Sequence, residues 1–457
     1  MNTSALDTRY QLMPDATPKD LSHIPGSQGW PILGHIPHML KDFHGTIERQ
    51  VAKYGEVSSF GQGLNHRGLM VVGPDNWKRI YLDTERNFSP KMGYAKSLGP
   101  FYGGGLLLRD FDEHRFHRRV FQTSFKNDAM RGYTELMAPI MDRHLQQWDK
   151  DDKFLFFPHI KEMLLDIAAK VFFGIDDLGG DGKKLNQALI DIAEEGMMSI
   201  FHVDLPGFKF HKGMKAKQFA DNFIKRMIPD RRAGNGKDFM SYVVKEKDDL
   251  GEYFPDQDLT EHLTFLMFAA HDTTTSALSH LIMLLGQHPE IKEKIREEIK
   301  GLNKPTLSYD DLDKLVYTEQ AFLESLRLYP SVSMMTRRTV RETEMGGYRI
   351  PANTVMFLPP RYNHTLKQWW DEPMKFDPDR FSTERAEYKR HPFMFHPFGG
   401  GAHKCIGMHF AMMNAKCFLH QFLLAYDFET PPNYNPWMHV IPMPRPGDFL
   451  PLKLKKI

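Results

Sequence analysis

A chain of 457 residues, 41% hydrophobic and 26% charged, can bury a large core, and its net charge of +1 offers no surplus to attract nucleic acid or an anionic surface. No run approaches the ~18 apolar residues that span a bilayer, and the N-terminal segment lacks the apolar centre of a signal peptide. A cytoplasmic monomer with no nucleic-acid partner and no membrane anchor is expected.

Residues 1–23 read as a polar tail. No linker, low-complexity tract or repeat divides the remainder, so 24–457 is expected to be one domain. Pro25-Gly26-x-x-Gly29-x-Pro31-x-x-Gly34 makes a stiff, turning segment, and 57–60 with 68–72 predict a short hairpin. His114 and Arg118, four apart, share one helical face. Helical period then covers about 127–174 and 183–200. Loops fall at 176–182 and 233–236; the first lacks the alternating acids of a calcium loop.

Asp258-Leu259-Thr260-Glu261 has the form of a capping box, opening a helix that runs to about residue 286. Its centre, 265–270, is apolar on every side, as in a helix buried in a core. His271-Asp272-Thr273-Thr274-Thr275 interrupts that face. Either the hydroxyls bond back to i−4 carbonyls while Asp272 reaches solvent, or the polar groups have a chemical task.

Glu324-Ser325-Leu326-Arg327 lies among apolar residues, which predicts a buried ion pair. Near the C-terminus comes Pro397-Phe398-Gly399-Gly400-Gly401-Ala402-His403-Lys404-Cys405-Ile406-Gly407, followed by a helical stretch over 408–426. Three glycines let the backbone turn tightly and approach a flat ligand. Cys405 at or before a helix N-terminus is placed where the dipole favours a thiolate, the proximal ligand a haem iron can use. His396, His403, Cys405 and His409 could instead suggest zinc, but no second Cys pair closes such a site. The glycines could suggest a phosphate cradle, but neither a dinucleotide fingerprint nor a Walker-type Lys-Ser/Thr follows them. Cys405 and Cys417 lie roughly 18 Å apart along a helix, so both are expected to be free thiols. Leu452 and Leu454 alternate with lysines, as in a half-exposed strand.

The spacing Phe398-x-x-Gly401-x-His403-x-Cys405-x-Gly407 resembles the haem-binding signature of the cytochrome P-450 superfamily. Ala269-Ala270-His271-Asp272-Thr273 resembles its oxygen-activation motif, with Ala270 where the family commonly has Gly. Glu324-x-x-Arg327 with Arg380 resembles its scaffold triad, and the proline-rich segment resembles the hinge after the anchor of eukaryotic members. The motif style is most similar to the sterol-demethylase and retinoid-hydroxylase branch.

The resemblance implies a mainly α prism with small β-sheets enclosing haem b. Cys405 would be the iron's axial ligand, and Phe398 and Gly407 its loop companions. His114, Arg118, Arg337 and His403 would hold the propionates, with Arg115 and Arg119 on the surface. Asp272 and Thr273 would deliver protons for splitting dioxygen. Substrate-facing positions would be Met92, Tyr94, Leu98, Phe101, Met197, Phe201, Ala269, Val332, Met334, Ile441 and Pro442. The implied activity is insertion of one oxygen atom into a lipophilic terpenoid, steroid, retinoid or fatty-acid-like substrate. No flavin segment or iron–sulfur cysteine set is present, so electrons would come from a ferredoxin- or flavodoxin-type donor with its reductase. A haem-dependent peroxygenase or isomerase, or a non-catalytic haem carrier or sensor, would need no such donor.

Overall fold

The computed structural model describes residues 20–63, 66–149, 153–175, 180–199, 202–248 and 251–457. Phe201, most of the 176–182 loop and nearly all of the polar tail lie outside them.

The hairpin forms and is longer than read: Val57–Gly63 pairs antiparallel with His66–Val71. It seeds a six-stranded sheet in the order Gly26–Ser27, Val57–Gly63, His66–Val71, Val355–Leu358, Met335–Thr339, Phe88–Ser89. The stiff proline segment supplies the edge, with Gly26 opposite Ser59 in parallel register. Near the C-terminus Lys453–Lys456 pairs with Tyr426–Glu429, as its alternation suggested.

Elsewhere helices dominate. The stretch read as one helix over 127–174 is two, Asn127–Trp148 and Phe156–Phe173. The first ends at the C-cap Asp149, and Leu155 precedes the second. Similarly 183–200 is the helix Asp181–Asp191 followed by a π-helical turn, Ile192–Gly196.

The long apolar segment forms the helix Asp256–Gln287, the spine of the main core. Its start corrects the capping-box expectation. Pro255 precedes the first turn, and Asp258 is already inside the helix, where it accepts from Arg109 Nη2 at 2.6 Å. The long-range charge outcompeted the local cap. From residue 274 to 285 every side chain is buried, while Leu266, Ala269, Ala270 and Thr273 are only half-buried. That pattern marks one accessible stripe at the middle of an otherwise enclosed helix. The helix Phe156–Phe173 and the helix Met408–Ala425 pack against this spine, so the segment after Cys405 joins the same core.

Candidate active site

The cysteine loop ends where the sequence suggested. The helix starts at Met408, three residues after Cys405, and the Cys405 N–H donates to the Phe398 carbonyl at 2.8 Å, closing the loop on itself. Gly399 and Gly401 adopt φ of 67° and 63°, the left-handed region that favours glycine. The glycines also have a task within the chain: a Cβ on Gly401 would fall 1.8 Å from the Tyr81 carbonyl oxygen, and one on Gly400 would strike the Tyr81 ring. These two glycines allow the loop to press against the helix Pro74–Leu82.

Cys405 is accessible yet lies deep among protein atoms, so its open side is an interior recess, and depth governs its electrostatics. Burial pushes the thiol up, against the Gly407 N–H and the Arg118 and Lys404 charges. The helix start alone therefore does not make a thiolate here; a bound cation must complete it. Cys417 is a buried free thiol pushed up to about 12 by the same desolvation, and is inert packing.

Around Cys405 the structure gathers four groups expected to face a cofactor. His114, on the helix Phe111–Gln122, stacks on His403 with ring centroids 3.7 Å apart. Burial, then Arg118 and Arg337, lower His114 to about 4, and burial with the same cations holds His403 well below its ordinary value. Both rings are neutral at pH 7. Arg118 is lowered by burial, with Cys405 as its opposing charge. Arg337 is buried in the strand Met335–Thr339, and its Nη1 donates only to its neighbour's carbonyl, Thr336 O, at 2.8 Å. Neither Arg118 nor Arg337 has a salt bridge to a described carboxylate. Two guanidiniums without a direct carboxylate partner, beside a cysteine, fit a flat group carrying two carboxylates and a metal that binds sulfur. Arg115 and Arg119 point outward, as expected. Among the described residues no three His, Cys, Asp or Glu side chains converge as a metal site.

The oxygen-motif segment stays helical throughout. Thr273, Thr274 and Thr275 each donate to the i−4 carbonyl, Thr273 to Ala269 O at 2.7 Å. Asp272 does not reach open solvent; it meets His271 Nε2 at 3.1 Å and Lys161 Nζ at 3.7 Å. Burial works to raise its carboxyl, but His271 and Lys161 outweigh it and hold it below the ordinary carboxylate range.

The scaffold triad assembles as read. Arg327 donates twice to Glu324, at 2.6 and 2.7 Å, and Arg380 Nε meets Glu324 Oε1 at 3.3 Å, all fully buried. Glu387, which sequence reasoning missed, takes the other side of Arg380 at 2.8 Å. Its signal was faint, one acid among many in a polar loop.

The pocket candidates do not form one cluster. Met92, Leu98 and Phe101 are buried; Phe101 packs edge-on to Phe210 at 5.4 Å, so it fills core. Tyr94 is half-buried, and its hydroxyl accepts from the Thr336 N–H. Met197 packs on the main core, whereas Met334 belongs to a separate apolar cluster with Phe43 and Phe60. Ala269 lies on the accessible stripe, Val332 and Pro442 are half-buried, and Ile441 is exposed. Tyr102, beside them in sequence, stacks on Phe268 at 4.8 Å.

The cytochrome P450 family profile matches residues 24–450, and the chain belongs to that family. Putative cytochrome P450 136 of Mycobacterium tuberculosis is 35% identical over 95% of this chain and 89% of its own length. Taxane 13-alpha-hydroxylase of Taxus cuspidata is 26% identical over 94% of this chain and 91% of its own. The solved structure of retinoic-acid-bound cyanobacterial CYP120A1 superposes with a TM-score of 0.85 at 25% identity, covering 95% of this chain and 99% of that one. The fold is thus the mainly helical P450 architecture, the activity is that of a P450 monooxygenase, and the cofactor is haem b. No described helix is long and apolar enough to cross a membrane.

Proposed function

We propose that this P450 hydroxylates a medium-to-large lipophile, of terpenoid, steroid, retinoid or fatty-acid-like character, with electrons from a separate ferredoxin- or flavodoxin-type protein and its reductase. The observation that carries the substrate class is the accessible stripe of Leu266, Ala269 and Ala270 on a helix that is otherwise enclosed. It is apolar and uncharged up to Thr273, which suits a lipophile better than a small polar metabolite. The taxane hydroxylase and the retinoic-acid-bound structure among the similar proteins support a large lipophile.

Bound haem supplies dioxygen activation and the transfer of one oxygen atom; the chain supplies binding, orientation and protons. Cys405 sulfur would be the proximal ligand, with its charge steadied by the Gly407 N–H and Arg118. Arg118 and Arg337 would pair with the propionates, while neutral His114 and His403 could donate hydrogen bonds to them. Thr273 and Asp272 would hold and pass protons. For that, the Thr273 hydroxyl must release Ala269 O and Asp272 must turn from Lys161.

The test is a titration of the haem-loaded protein with isoprenoids, steroids, fatty acids and small polar aromatics. The first three classes should displace haem-bound water and support turnover. Tight binding and turnover confined to small polar aromatics would overturn the substrate class.

A further inference from the structure

Away from the cysteine loop, a small recess lies where several parts of the chain meet. His44 comes from the helix Phe43–Tyr54, Tyr329 caps the helix Val316–Leu328, and Arg361 belongs to the helix Pro360–His364. Val440 and Pro444 close it from the C-terminal side, and among the described residues no Asp or Glu lines it. The space open to the centre of a water-sized body is about 10 Å³. That is room for one such body, and too little for a phosphate, a sulfate or an organic acid.

Arg361 is half-buried, and burial lowers it against the opposing influence of Tyr329 and Glu48. Among the described residues its guanidinium has no hydrogen bond and no salt bridge; it lies over the Tyr329 ring, 5.0 Å from the centroid. Glu48, exposed on the helix that carries His44, acts on it only beyond salt-bridge distance. The ring beneath Arg361 is fixed in turn. Tyr329 stacks on His280 with centroids 4.8 Å apart and planes 8° from parallel, and the fully buried His280 is tied through Nδ1 to Ser276 O at 2.8 Å.

Burial, then Arg361, lower His44 to about 3, so its ring is neutral at pH 7 and offers one N–H. Neither ring nitrogen of His44 has a described hydrogen-bond partner. Ser333, also in the wall, has its proton committed to Val440 O at 3.0 Å. A cation and an N–H donor, apolar walls and no acid suit an occupant that accepts hydrogen bonds and carries negative charge.

We propose that this recess binds a single halide ion, chloride in ordinary salt, between the Arg361 guanidinium and the His44 ring. A water there would accept from Arg361 and leave its charge unanswered; a halide answers the charge in a similar volume. The Ser333–Val440 bond in the wall joins the segment of Val332 and Met334 to that of Ile441 and Pro442. The ion therefore braces a joint between two stretches expected to face substrate, although the site itself stands without that expectation.

The experiment uses the haem-loaded protein and the variants Arg361→Met and His44→Phe, each checked for retention of the haem band. The first measurement is a crystal structure in sodium bromide, with data collected at the bromine absorption edge. An anomalous peak within hydrogen-bond reach of Arg361 and His44 is expected, and a recess without one would overturn the inference. The second is the chlorine NMR line of sodium chloride in solution. Wild type should broaden it saturably, bromide should reverse the broadening by competition, and Arg361→Met should abolish it. His44→Phe should raise the dissociation constant by about tenfold, the effect of one lost hydrogen bond to a charged group. If Arg361→Met does not fold, His44→Phe carries the comparison alone. Broadening unchanged in the variants, or a bromide peak with no saturable binding in solution, which is binding at crystal concentration only, would overturn the inference.

Discussion

Two arginine clusters of this molecule, one around Glu324 and one around Cys405, have surroundings that differ in kind. Around Glu324, Arg327 also donates to the carbonyls of His364, Pro373 and Lys375, and Arg380 to that of Glu372, besides their carboxylate contacts. Around Cys405, neither Arg118 nor Arg337 makes a salt bridge to a described carboxylate; Arg337 is felt by Asp83 and Asp110 only at longer range, and the Cys405 thiol is the opposing group for Arg118. The first network is complete within the chain, so it can only be scaffold. The second leaves two guanidiniums without a direct carboxylate partner, which the two acid groups of haem would supply. Saturation distinguishes a structural charge cluster from a binding one.

The comparison breaks most sharply on substitution. Glu324→Gln leaves two guanidiniums buried without their shared carboxylate, and should cost about 3–5 kcal/mol in denaturant unfolding. Arg118→Met removes a cation that has no salt bridge to a described carboxylate, and should change the unfolding of the haem-free chain by less than about 1 kcal/mol while weakening haem retention. Equal destabilisation by both would erase the distinction between the two regions.

A smaller effect comes from a third buried set, in which Arg109 donates to His117 Nε2 at 2.9 Å and His117 Nδ1 lies 2.8 Å from His262 Nε2. Burial, then Arg109, lower His117 from 6.5 to about 3. The unfolded chain then binds a proton that the folded chain refuses, so stability should fall as pH drops from about 6.5 toward 3. His117→Gln should flatten that part of the pH–stability curve. An unchanged slope would mean that the imidazole already carries its proton in the fold.

Much of this was legible in the sequence because it depends on local spacing. The cysteine loop, the Glu324 and Arg327 pair, and the helix face shared by His114 and Arg118 sit within a few residues of one another, and each formed as read. What the sequence concealed depends on residues far apart. The start of the long helix was misread because Arg109, from a distant loop, claims Asp258. The packing of the two inner loop glycines was missed because nothing in the sequence announces Tyr81 against them. Lys161 and Glu387 were missed because a lone charge on an amphipathic helix or in a polar loop looks like solvated surface until its partner is in place.

The central claim is that Cys405, in its recess beside Arg118 and Arg337, is the thiolate ligand of haem b. The reduced, carbon-monoxide-bound protein tests it most directly. Wild type and Cys417→Ala should show the red-shifted Soret band of thiolate-ligated haem, and Cys405→His should bind haem without that band. A Cys405→His protein that kept the band, or a wild-type protein that never showed it, would contradict the account.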